Sequence, residues 1–241
     1  MLGYPELALA DTEHALKDAR EIGQAATLMY ALVHAPMTHL LCGNYAAANA
    51  QLDEVVALAD EKGALLWKAG GMMNQGCVFA LTDKASKAIH MFTAGITAWR
   101  STGSTLWVPS WFPYLSKAYA ELGRFDDAWR CIGEAMTAVE ATKERWWEAD
   151  VHRTAGQIAL MSPQRDAARA EAHFERALAV ARQQQAKSWE LRAAMSMARI
   201  WRDRGKRAEA RELLAPVYSW FTEGFETLDL KEAKTLLDEL A

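Results

Sequence analysis

The chain has 241 residues, 51% hydrophobic and 24% charged, with a net charge of −4. That is the balance of a soluble folded protein, and its slight acidity argues against nucleic-acid binding along the whole surface. No apolar run is long enough for a bilayer span, the N-terminus lacks the basic and apolar regions of a secretion signal, and Cys42, Cys77 and Cys131 read as reduced thiols of a cytoplasmic protein.

Fourteen glycines and six prolines are few for this length, so most of the chain can be helical. In chain order the pattern predicts a lone helix within 1–23, helical hairpins over 24–63, 64–103, 104–143, 144–185 and 186–224, and a final helix within 225–241. The period behind these bounds is about forty residues. Trp67, Trp107, Trp147 and Trp189 stand 40, 40 and 42 apart. Gly3, Gly43, Asp83, Gly123, Arg165 and Gly205 stand 40, 40, 40, 42 and 40 apart. Two ladders in one phase mean a stack of similar units rather than one globule.

Within each unit a turn precedes a helix. The frame Gly123, Phe125, Ala128, Ile132, Ala135 recurs as Gly43, Tyr45, Ala48, Leu52, Val55 and as Gly205, Arg207, Ala210, Leu214, Val217. It recurs more loosely from Gly3, Asp83 and Arg165. These spacings keep the small and large apolar residues on one helical face. The helix before each turn carries its own frame, in which one position is always small: Pro36, Gly76, Ser116, Gly156, Ala198. A second set of turns holds Gly23, Gly63 and Gly103, replaced later by Lys143 and Gln185. The two extra residues fall around Ser162–Arg165, which predicts a longer connection there.

These residues resemble the tetratricopeptide repeat, over essentially the whole chain. The turn-to-alanine half is well kept and the leading-helix half is degenerate. The period exceeds the usual 34 residues, as in the longer repeats of large bacterial signalling ATPases. The resemblance implies an all-α, right-handed superhelical solenoid of antiparallel helix hairpins, about twelve helices in a single repeat domain. Leu230, Ala233, Leu236, Leu237 and Leu240 give the last helix one apolar stripe, suited to capping the open end. The chain enters the repeat at its middle, which predicts a piece cut from a longer protein. The segments 144–153, 184–194 and 213–240 are similar to the C-terminal regions of bacterial multidomain proteins in which a nucleotide cyclase or DNA-binding domain precedes an ATPase domain. No cyclase or ATPase residue lies in this chain.

In the repeat family the first helix of each hairpin lines the concave surface. The resemblance therefore places inward Tyr30, Val33 and Met37; Gly70, Met73 and Cys77; Ser110, Pro113 and Lys117; Asp150, Arg153 and Gln157; and Arg192, Met195, Arg199 and Arg202. The N-terminal half of this groove is apolar and its C-terminal half basic. Between residues 182 and 211 nine Lys or Arg face three Asp or Glu. Two readings of Arg153, Arg192, Arg199 and Arg202 stand side by side: guanidinium forks for an anionic partner, or solvated side chains paired with Glu190 and Asp203. The tryptophans also have two readings. They stack a ligand at the groove edge, or they pack between adjacent hairpins. Trp107 joins Lys117, Tyr30 and the arginines as a candidate ligand-binding residue.

No nucleophile, phosphate-loop or metal-ligand motif is present, and His39 and His152 fall at helix-packing positions. Cys77 reads as a small buried thiol, with no base beside it. Glu148 and Asp150 point to different faces and form no acid–base pair. The expected function is a non-catalytic protein-interaction or effector-sensing module without cofactor or metal. It takes a peptide, acidic or carboxylate-bearing, or a small effector in its groove, and contacts other domains of its parent. A structural self-association module is the second reading, with dimers formed through exposed apolar surface at the N-terminal end; an enzyme with a cryptic groove site is the third.

Overall fold

The computed structural model describes residues 1–241 as twelve α-helices without a strand. In order they are α1 (Pro5–Ile22), α2 (Ala25–Leu41), α3 (Tyr45–Glu61), α4 (Leu65–Leu81), α5 (Ala85–Ser101), α6 (Val108–Glu121), α7 (Phe125–Thr142), α8 (Glu148–Met161), α9 (Ala167–Gln183), α10 (Lys187–Asp203), α11 (Arg207–Ser219) and α12 (Leu228–Glu239), with a 3-10 turn at Arg145–Trp147. The architecture is the all-α solenoid of helix hairpins that the period implies. The helices fall into two compact units, residues 6–107 and residues 1–5 with 108–241.

The connections between helices share one backbone solution. After α2 the chain turns left-handed at Gly43; Gly43 N–H donates to the Leu40 carbonyl and Asn44 N–H to that of His39. This is the helix-ending motif that glycine favours. The same pair of bonds closes the turns at Gly63, Gly123, Gln185 and Gly205. Asp83, Lys143, Arg165 and Gln185, which replace glycine in the two ladders, keep φ values of 55°, 63°, 43° and 53°. The repeat therefore persists in the backbone where the glycine has been lost. The longer connection, 162–166, ends in Asp166, whose carboxylate accepts from the Arg169 N–H and caps α9.

In the N-terminal unit α3 packs on α2 and α4, α5 packs on α4, and the leading helices α2 and α4 touch each other. In the C-terminal unit α7, α9 and α11 alternate with the leading helices α6, α8 and α10, and α12 packs on α10 and α11 as α10 packs on α8 and α9. In the hairpins of Gly76 and Gly156 the small leading-helix residue receives the large residue of the trailing helix. A β-carbon on Gly156 would stand 2.4 Å from the Phe174 ring, and one on Gly76 would stand 3.0 Å from Phe92. Ser116 donates instead to the Ala128 carbonyl at 2.6 Å. Ala48, Leu52, Ala88, Phe92, Ala128, Ala170, Phe174, Ala210 and Leu214 are fully buried. The first copy departs from its frame: Ala15 is exposed, Thr12 half-buried, and Leu16 and Ala19 are the buried pair.

Candidate functional site

The inward set predicted for the leading helices divides in two. Val33, Gly70, Met73, Cys77, Ser110, Pro113, Asp150 and Met195 are buried and open onto no groove. The cause is close approach of neighbouring elements: Val33 and Trp99 lie against Gly70, and Asn74 donates its side-chain amide to the Val33 carbonyl at 2.9 Å. Small residues let the leading helices meet, so the positions meant to line a cleft became a helix–helix contact. Burial raises the Cys77 thiol pKa well above its ordinary value, and all three cysteines are free and buried. Tyr30, Lys117, Arg153, Gln157, Arg199 and Arg202 remain accessible.

The C-terminal arginines have partners. Arg192 donates to Asp229 at 2.6 Å, Arg199 to Glu232 at 2.7 Å, and Arg202 to both Glu239 and Asp203. Glu190 is no partner of this set, contrary to the reading from sequence; it is held by Arg182 and Lys187. Three of the four carboxylates come from α12, which lies against α10. Burial opposes the charge of Arg192, yet Asp229 and then Asp150 hold its pKa above the ordinary value. Arg153 pairs with Asp150 at 2.6 Å and Lys117 with Glu121 at 3.5 Å.

The tryptophan ladder splits the same way. Trp147 and Trp189 are 0% and 1% exposed, meet edge to face at 4.7 Å, and Trp189 Nε1–H donates to the Trp146 carbonyl at 3.1 Å. They pack between hairpins. Trp67 and Trp107 are only half-buried. With Tyr30 and His34 they form an aromatic face on the N-terminal unit. Tyr30, 59% exposed, stands edge-on to His34 at 4.3 Å and to Trp67 at 5.9 Å. His34 stacks on Trp107 at 4.8 Å with 28° between the planes. Trp107 is held there with φ at 69°, a left-handed conformation costly for a bulky residue. Burial lowers the His34 pKa. The structure thus unites Tyr30 and Trp107 and adds His34 and Trp67. His34 was legible as the residue one turn beyond Tyr30, but nothing in the sequence marks the left-handed turn that brings Trp107 onto it.

These surfaces sit on a fold with known counterparts. The crystal structure of BtubC (BKLC) from P. vanneervenii matches with a TM-score of 0.60 at 15% identity, over 98% of this chain and 89% of that one. Two crystal structures of nearly identical TPR-like repeats of a putative kinesin light chain from Podosopora anserina, one of them a point variant, match with TM-scores of 0.54 and 0.52. Both are 14% identical and cover 79% of this chain and 93% of theirs. The fold is a TPR-like helical repeat. Residues 8–104 also match the family model described as GHMP kinases C terminal. No curated protein matches the chain. No helix is long and apolar enough to cross a membrane.

Proposed function

We propose that this chain is a non-catalytic protein-interaction module that seats a segment of a partner protein on the aromatic face formed by Tyr30, His34, Trp67 and Trp107. The observation that carries this reading is the contrast between the two ends of the repeat. The arginines of α10 are occupied by α12, whereas in the N-terminal unit Tyr30 is exposed and His34, Trp67 and Trp107 are half-buried beside it, Trp107 at the cost of backbone strain. Aromatic side chains exposed in a cluster mark interaction surfaces, since large rings give contact area with little rotamer entropy lost. The likeness to TPR-like repeats supports a protein partner. Arg192, Arg199 and Arg202 then serve to seat the capping helix rather than an acidic ligand. The sequence likeness of residues 144–153, 184–194 and 213–240 supports placing the chain at the C-terminus of a larger bacterial signalling protein, and the three free cysteines support a cytoplasmic location.

The test is site-specific crosslinking. A photoreactive phenylalanine analogue at Tyr30 in cells of the source organism is expected to trap one partner protein, through one peptide that mass spectrometry identifies. The same analogue at Glu212, an exposed site on α11, should not trap that peptide. Equal trapping from both positions, or none from Tyr30, contradicts the assignment.

A further inference from the structure

A separate hollow of about 270 Å³ lies in the C-terminal unit, lined by Lys117 of α6 and by Thr154, Gln157, Ile158, Leu160 and Met161 of α8. Its walls are apolar apart from three groups that can donate hydrogen bonds. Thr154 is 4% exposed and lines the hollow. Gln157, one turn further along α8, lines it as well. The Lys117 ammonium stands 3.5 Å from Glu121 on its own helix, in a partly exposed pair that holds it weakly.

We propose that this hollow binds a small apolar monocarboxylic acid as its anion. The carboxylate meets the Lys117 ammonium, the Gln157 amide and the Thr154 hydroxyl, and the apolar body lies on Ile158, Leu160 and Met161. The Lys117 ammonium can only donate, and the Thr154 hydroxyl and Gln157 amide can donate beside it, so the three suit an accepting head. One cation sets its charge at a single negative unit. A cavity of ~150 Å³ holds benzene, so this one admits a body of roughly eleven non-hydrogen atoms. The site belongs to the C-terminal unit and the aromatic face to the N-terminal unit, so each stands or falls by its own test.

The test uses 3-phenylpropionate and its neutral isostere 3-phenylpropionamide, titrated into protein with labelled isoleucine and methionine methyl groups. The acid is expected to shift the Ile158 and Met161 methyl signals saturably and to bind at least about five-fold more tightly than the amide. Lys117→Met should reduce the acid to the affinity of the amide. Thr154→Val should weaken both several-fold, since it removes a donor to the ligand's head. The proposal is overturned by the absence of saturable shifts at both methyls, by an amide that binds as tightly as the acid, or by an acid preference that survives in Lys117→Met.

Discussion

Single residues carry the repeat at its turns. Asp83, Lys143, Arg165 and Gln185 hold a left-handed backbone that costs a non-glycine residue about 1 kcal/mol or more. Lys143→Gly and Gln185→Gly should each raise stability by about 0.5–1 kcal/mol in urea melts, the strain relieved less the added entropy of the unfolded glycine. These turns were legible from sequence because glycine fills the same slot in the other units and the period points to the exceptions. Trp107 was not legible in this way, since it belongs to neither turn ladder. The buried half of the tryptophan ladder gives a second check: Trp147→Ala should cost about 3–5 kcal/mol, and loss of the half-buried Trp67 should cost clearly less in the same melts. A third concerns His152 and His173, whose Nδ1 atoms lie 3.4 Å apart. Burial first, then the charges of His173 and Arg176 against that of Glu148, lower the His152 pKa from 6.5 to about 4; burial and Arg169 lower that of His173. The folded state thus binds fewer protons than the unfolded chain. The stability linked to the pair is complete above the ordinary histidine pKa and is lost as pH falls toward about 4. Melting temperatures at pH 7 and pH 5 should fall further for the natural protein than for the double variant His152→Gln, His173→Gln.

At the scale of elements, the hairpins are held by size matching and the C-terminal end by charge. Gly156→Ala places a β-carbon into the Phe174 ring and should destabilise by about 1–3 kcal/mol, with partial recovery when Phe174→Leu is added. Asp229→Asn leaves the buried Arg192 guanidinium with no ionised partner on α12 and should cost about 2–4 kcal/mol. Hydrogen exchange should show α12 loosened ahead of α8. The sequence displayed the basic run on α10 plainly but not its fate. Local spacing offers Glu190 and Asp203 as partners, whereas Asp229, Glu232 and Glu239 reach the arginines only after the chain has folded back. The buried inward positions have the same origin. Period places Gly70 and Ser110 on the leading-helix face, but only packing decides how closely the next leading helix comes, and small residues at that contact close the space they were expected to line.

Taken as a whole, the molecule divides its conspicuous side chains between packing and partly exposed surface. Trp147, Trp189 and the α10 arginines hold the C-terminal unit together, while Tyr30, His34, Trp67 and Trp107 leave an aromatic face on the N-terminal unit. With a net charge of only −4 the surface exerts no strong long-range pull on a partner, so on the proposed reading contact area on that face supplies most of the affinity. Oxidative footprinting of the free protein and of its complex with the crosslinked partner tests this most directly. Trp67, Trp107 and Tyr30 should react in the free protein and become protected in the complex, with Trp147 and Trp189 unreactive in both. Protection confined to Trp201 and Trp220 in the C-terminal unit, with Tyr30, Trp67 and Trp107 equally reactive in both states, would contradict the account.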